Sequence, residues 1–203
     1  MDETLVFIDE AFLSKLSKHL GGGRYLKFDR IGFSENLAKE ENLICKQIFL
    51  YISPPFQSPI PSKDEEKRKE GDDKFVNNLR KRDVIVREGR CQRLKINGKL
   101  EYNQKAVDVY LSMDLTSVPF KYANIKKILL ISSDSDFVPV IKNLEEQNIK
   151  TTLYTYYEEK RESPFSRSND LIKSVHKYIL LKKEYFLADL NKEKRKENGQ
   201  KRI

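Results

Sequence analysis

The sequence predicts an α/β domain of three layers, α/β/α, with a mostly parallel central sheet and an inserted β-hairpin. Two apolar runs carry this reading. Leu5-Val6-Phe7-Ile8 and Ile128-Leu129-Leu130-Ile131 are too short for helices and show no polar alternation, the pattern of strands buried on both faces. Helical stretches separate the strand-like runs along the chain, which is the alternation that links parallel strands by crossovers.

Taken in order, Glu10 to Leu20 predicts a helix with Phe12, Leu13, Leu16 and Leu20 on one face, stopped by Gly21-Gly22-Gly23. Leu43 to Ile52 predicts a second strand, with Ile44, Ile48, Leu50 and Ile52 among β-compatible neighbours. From Pro54 to Asp73 the chain turns to Pro, Ser and a charged block, Lys63 to Asp73. That block buries too little apolar surface to order itself, so a mobile insertion over 54–73 is expected. A helix from Lys74 to Arg82 and a strand at Val84-Ile85-Val86 follow, and the runs flanking Asn97-Gly98 predict a hairpin with a type I′ turn. Gln104 to Leu115 predicts a helix apolar around most of its circumference. A buried strand over Lys126 to Ile131, a helix over Asp136 to Gln147 and a strand over Thr151 to Tyr154 come next. Ser168 to Lys182 predicts a last helix, with Leu171, Ile172, Val175, Ile179 and Leu180 at helical spacing. Residues 1–186 are thus expected to form one domain, and 187–203 a basic, disordered tail.

The chain has 203 residues, 38% hydrophobic and 34% charged, enough for one substantial core. Its net charge of +8 and pI near 9.3 favour a polyanionic partner. No apolar run approaches the roughly 20 residues of a membrane helix, and the Met-Asp-Glu start lacks a signal-peptide pattern, so a cytoplasmic protein without membrane attachment is expected. Cys45 and Cys91 form no CxxC pair, which argues against a disulfide framework or a cysteine-ligated zinc site. No phosphate-binding glycine loop and no G-x-S-x-G elbow occurs. The only histidines, His19 and His176, read as structural or exposed.

In open parallel sheets, sites lie beyond the carboxyl ends of the strands. Asp9 ends the first strand, and Asp134 and Asp136 follow the Ile128–Ile131 strand, so they share one rim if those strands are neighbours. Carboxylates gathered this closely raise one another's pKa unless a cation compensates, and hard oxygen ligands suit Mg²⁺ or Mn²⁺. Read singly, Asp134, Ser135 or Asp136 serves equally to cap the helix behind it, and Asp9 to end a turn. Asp108 lies on the narrow polar edge of its helix near Ser112 and reads alone as a solvated position. Asp114 falls within the apolar arc, where a carboxylate needs a partner.

Val6-Phe7-Ile8-Asp9, then Lys105 to Leu115, then Ser132 to Phe137 followed by Pro139 and Ile141, resemble in order and spacing the motifs of NYN domains. The resemblance spans almost the whole of Leu5 to Phe186. It implies a PIN-like, Rossmann-like α/β/α fold and a metal-dependent ribonuclease, with Asp9, Asp108, Asp134 and Asp136 in the catalytic, metal-holding acidic positions. The chain departs from the family at Glu10-Ala11-Phe12-Leu13, where a small residue and an asparagine often follow the first aspartate. Glu10 reads either as an extra acid or as a favourable charge at a helix start.

Acids repel RNA unaided, so a basic surface must bring in the phosphate backbone. The candidate contacts are Arg80, Lys81, Arg82, Arg87, Arg90 and Arg93, with Lys192 to Arg202 in the tail. Tyr154, Tyr156 and Tyr157 are candidates to stack bases. DNA stays open as a substrate. A homodimer through the hairpin or the last helix is a further expectation. The competing reading is a non-catalytic RNA-binding module, favoured by Phe12 in the asparagine's place.

Overall fold

The computed structural model describes residues 1–160 and 163–187. Six strands form one sheet: β1 (Asp2–Asp9), β2 (Leu43–Ile52), β3 (Ile85–Glu88), β6 (Lys127–Ile131), β7 (Lys150–Thr155) and β8 (Lys177–Leu180). They lie in the order β3-β2-β1-β6-β7-β8, and every pairing is parallel. A separate antiparallel hairpin is made by β4 (Arg90–Ile96) and β5 (Lys99–Lys105). Without that hairpin the order is 3-2-1-4-5-6, the doubly wound arrangement whose switch point falls beside its first strand.

The two faces of β1 explain the layers. Val6 and Ile8 pack with Phe12, Leu13 and Leu16 of α1 (Glu10–Leu20), Phe33 and Leu37 of α2 (Arg30–Glu40), and Val76 and Leu79 of α3 (Lys63–Arg80). Leu5 and Phe7 face the other way, onto Leu111 and Leu115 of α4 (Val107–Lys121), Ile141 and Leu144 of α5 (Val138–Glu146), and Leu171 of α6 (Asn169–Ser174). Alternating strand side chains therefore build two cores, one on each side of the sheet.

Several elements differ from the sequence reading. The charged block Lys63–Asp73, expected as a mobile loop, is the first half of α3. A capping box starts this helix: Glu65 N–H donates to Ser62 Oγ at 3.3 Å, and Ser62 N–H to Glu65 Oε2 at 2.8 Å. Asp64, Glu65 and Glu66 favour its positive end, so local charge and capping order a stretch that only its second half, through Val76 and Leu79, anchors to the core. Residues 54–61 carry no helix or strand. Helix α2, which the sequence reading does not predict, is begun by Asp29, whose carboxylate accepts from Gly32 N–H at 3.0 Å.

The hairpin takes Gln104 and Lys105 into β5, so α4 starts at Val107 instead of Gln104 and runs on to Lys121. The last predicted helix stops at Ser174; Lys177–Leu180 extend the sheet as β8 instead. Its Tyr178 and Ile179 suit a strand, and pairing with β7 gives their backbone groups partners that a short surface helix supplies less fully. The tail calls, including Lys192 to Arg202, lie outside the described residues. Among the described residues no helix is long and apolar enough to cross a membrane.

The capping box gives a direct test of how α3 is ordered. Ser62→Ala should lower stability by about 1 kcal/mol in urea titration, and an unchanged midpoint would show that α3 is held by its core contacts alone.

Candidate functional site

Ile8 stands opposite Ile131 in the β1–β6 register, so Asp9 and the run Ser132-Ser133-Asp134 leave the sheet side by side. Asp9 caps α1, with Oδ1 accepting from Phe12 N–H at 3.1 Å. Its Oδ2 accepts from the hydroxyl of buried Ser132 at 3.2 Å. Ser132 Oγ accepts in turn from Asp134 N–H at 3.2 Å, and Asp134 Oδ1 from Asp136 N–H at 2.9 Å. The capping roles weighed for these aspartates are thus present. Each engaged carboxylate oxygen retains a second lone-pair direction, so capping leaves acceptor capacity unused.

Asp108 arrives from the opposite layer, in the first turn of α4. The hairpin delivers it. Gly89 N–H donates to Ile52 O at 2.9 Å, tying the hairpin base to the end of β2, and a Cβ at Gly89 would lie 2.4 Å from Lys105 O, so the two arms close only on glycine. Ala106 then takes a left-handed φ of 68° immediately before α4, a conformation costing a non-glycine residue about 1 kcal/mol or more.

The aspartates feel one another's charge. Burial, above all, pushes the Asp9 carboxyl up to about 6; the bonds from Phe12 and Ser132 oppose this, and the charges of Asp108 and Asp134 add to it. Asp108 is raised by burial and by the charges of Asp134 and Asp136. None of the four has a Lys or Arg within ion-pair distance among the described residues.

Neighbouring acids are treated differently. Glu10 is buried and bound by Arg30 at 2.6 Å and by Ser14 Oγ at 2.6 Å, so it is a neutralised partner and not an additional free acid. Asp114 accepts from Tyr51 Oη at 3.0 Å and from Arg87 at 3.0 and 3.2 Å. Its burial is satisfied by side chains.

The donor set contains only carboxylates, which suits Mg²⁺ or Mn²⁺ over softer metals. Among the described residues no three His, Cys, Asp or Glu side chains close on one point to hold an ion. Magnesium commonly binds through one or two carboxylates with water filling the remaining positions, and Asp9 with Asp134, tied through Ser132, fits that demand.

Of the basic candidates, Arg80 pairs with Glu88 at 2.6 Å, Arg82 with Asp29 at 2.7 Å, and Arg87 with Asp114. Lys81, Arg90 and Arg93 are exposed and make no ion pair among the described residues. Tyr154 is fully buried and donates to Leu37 O, so it stacks no base. Tyr156 packs on His19 and Phe165 and donates to Glu158, which also bonds His19 at 2.8 Å. Only Tyr157, under Arg167 at 5.1 Å, stands apart from that packing. Sequence reasoning missed Ser132 as the link between Asp9 and Asp134. Its position just after a strand is visible in the sequence, whereas the adjacency of β1 and β6 is not.

The Asp9 shift carries a sign. An unfolded aspartate titrates near 3.9 and the folded one at about 6, so below pH 4 both states are protonated and nothing is lost. Between pH 4 and 6 the unfolded chain ionises while the metal-free fold keeps Asp9 protonated, so stability falls through that window by up to about 3 kcal/mol and stays lowered above pH 6. In EDTA, Asp9→Asn, which preserves the cap, should therefore gain stability relative to wild type between pH 4 and pH 7.5. Equal differences in unfolding free energy at both pH values would contradict it.

Comparison with known proteins agrees with this architecture. Among solved structures, the chain is similar to the crystal structure of a protein of unknown function from Vibrio parahaemolyticus RIMD 2210633, at TM-score 0.59 and 15% identity, over 90% of this chain and 94% of that one. At that identity the likeness speaks to fold alone. No curated protein matches the chain. The family model for the NYN domain matches residues 3–182, taking in β1, the hairpin, the Asp108 helix and the Ser132–Phe137 run, and on that match the chain belongs to the NYN domain family of PIN-like nucleases.

Proposed function

We propose that this domain is a metal-dependent ribonuclease that hydrolyses RNA phosphodiester bonds at the rim shared by β1, β6 and the start of α4, with Mg²⁺ or Mn²⁺ held on Asp9, Asp108, Asp134 and Asp136. One observation carries the reading. Asp9, Asp108, Asp134 and Asp136 lie within reach of one another's charge and have no ion-pair partner among the described residues, while the adjacent acids Glu10 and Asp114 are each given an arginine. Uncompensated carboxylates raise one another's pKa and cost stability, and a bound cation removes that cost.

A divalent ion at this rim supplies neutralisation of phosphate charge and a more acidic water. The protein's own contribution is placement. Asp9 and Asp134 are fixed by the Phe12 and Asp136 N–H groups and by Ser132, so two carboxylates are positioned before substrate arrives. Asp108 and Asp136 are exposed and make no side-chain hydrogen bond among the described residues. That leaves them able to adjust to an ion and a phosphate. Lys81, Arg90 and Arg93 supply positive charge for the RNA backbone, and the binding weakens with salt.

The second reading is a non-catalytic RNA-binding module. Phe12 favours it: where the family often has asparagine, this side chain is buried in the core against Phe165 and offers no polar group to a substrate.

End-labelled RNA incubated with Mg²⁺, Mn²⁺ or EDTA separates the two. Wild type should cut only with metal, Asp9→Asn and Asp134→Asn should cut about 100-fold more slowly or less, and Mn²⁺ should raise the melting temperature of wild type but of neither variant. A folded wild type that binds RNA and cuts under neither metal would establish the module instead.

A further inference from the structure

The hairpin is separate from the six-stranded sheet, yet it departs from the end of β3 and returns directly into the Asp108 helix. Its composition is one-sided. Residues 90–105 contain Arg90, Arg93, Lys95, Lys99 and Lys105 against the single acid Glu101, about half of the chain's net charge of +8. Directly opposed residues of an antiparallel pair share a face, so Arg93 with Tyr102, Cys91 with Gln104 and Lys95 with Leu100 form one side of the ribbon.

On that side Phe56 meets Tyr102 at 5.8 Å between ring centroids, and the Arg93 guanidinium lies 4.5 Å over the Phe56 ring. Tyr102 keeps 53% of its surface exposed. Gln104, on the same side, lines an open groove of about 370 Å³. The opposite wall is Glu10, Ala11 and Ser14 at the start of α1, with Arg30 between the rings of Phe28 and Phe75. Glu10 is the residue after Asp9, so the groove opens beside the aspartate rim.

Exposed aromatic faces beside a basic surface are a means by which proteins hold single strands, because unpaired bases are free to stack on side chains whereas duplex bases are already stacked on one another. We propose that Phe56, Tyr102 and Arg93, with the groove next to Glu10, form a docking strip for single-stranded RNA that leads to the aspartates and selects unpaired over duplex substrate. This rests on RNA being the ligand of the rim; it does not require that the RNA be cut.

The test is binding of fluorescein-labelled single-stranded and duplex RNA oligonucleotides in EDTA, followed by anisotropy. Wild type should prefer the single strand. Tyr102→Ala and Phe56→Ala should each weaken that binding by about 10-fold and leave duplex binding close to unchanged, while Tyr102→Phe keeps wild-type affinity. Tyr25→Ala, an exposed ring under Lys18 beyond the far end of α1, should bind as wild type, and melting curves establish that every variant is folded. Single-strand affinity unaltered by both alanine variants, or equal affinity of wild type for single strand and duplex, would overturn the strip. Cleavage in Mg²⁺ or Mn²⁺ is scored separately: tight, tyrosine-dependent binding without cutting supports the strip and removes only the catalytic reading.

Discussion

Parallel pairing of β1 with β2 on one side and β6 on the other is the constraint from which the rest follows. Because every strand of the sheet is parallel, all carboxyl ends reach one rim, and the chain leaves β1 and β6 toward helices on opposite faces. A crevice is left between those departures. Asp9 and Ser132 occupy its two lips, and the hydrogen bond between them at 3.2 Å joins the lips directly. The same serine hydroxyl accepts from the Asp134 backbone N–H, so a single buried serine ties the end of β1 to the loop that carries Asp134 beyond β6.

The fold also sorts its acids. A carboxylate buried without a partner costs several kcal/mol, and at two such acids the chain supplies an arginine: Arg30 for Glu10, Arg87 with Tyr51 for Asp114. Breaking such a pair is costly because it strands the remaining charge. Asp9 lies one residue from Glu10, and Asp108 lies on the same helix as Asp114, yet neither is paired with a cation among the described residues. Burial and neighbouring charge both raise them. Among the described residues these ion pairs thus stop at Glu10 and Asp114 and do not extend to Asp9 or Asp108.

Much of this was legible in the sequence, for reasons that differ by element. Leu5–Ile8 and Ile128–Ile131 announce themselves because a strand buried on both faces has no room for polar residues, and Asn97-Gly98 does so because its φ values of 50° and 78° are ones few other pairs adopt readily. The positions of Asp9, Asp134 and Asp136 relative to strand ends follow from those runs. The reach of α3 did not, since a helix whose first half touches solvent depends on caps and charge order instead of apolar period. Lys177–Leu180 misled because Val175, Ile179 and Leu180 satisfy a helical spacing as well as a strand. Least legible was the pairing of Arg80, Arg82 and Arg87, which involves partners up to 53 residues away in the chain and is visible only once the fold exists.

Those pairings change how the positive charge is read. A net charge of +8 describes the whole chain, yet an arginine held by a carboxylate presents little field beyond a Debye length of about 10 Å at moderate salt. With the paired guanidinium groups removed from consideration, the hairpin keeps five basic residues that make no ion pair among the described residues, at the point of the chain that runs into Asp108. The hairpin's positive charge and the aspartates of the rim are thereby placed on separate elements. They are joined by a glycine whose missing Cβ lets the two arms meet at the base of the ribbon, so the hairpin's position relative to the rim is fixed by backbone packing and not by charge pairing, which would consume the positive surface it presents.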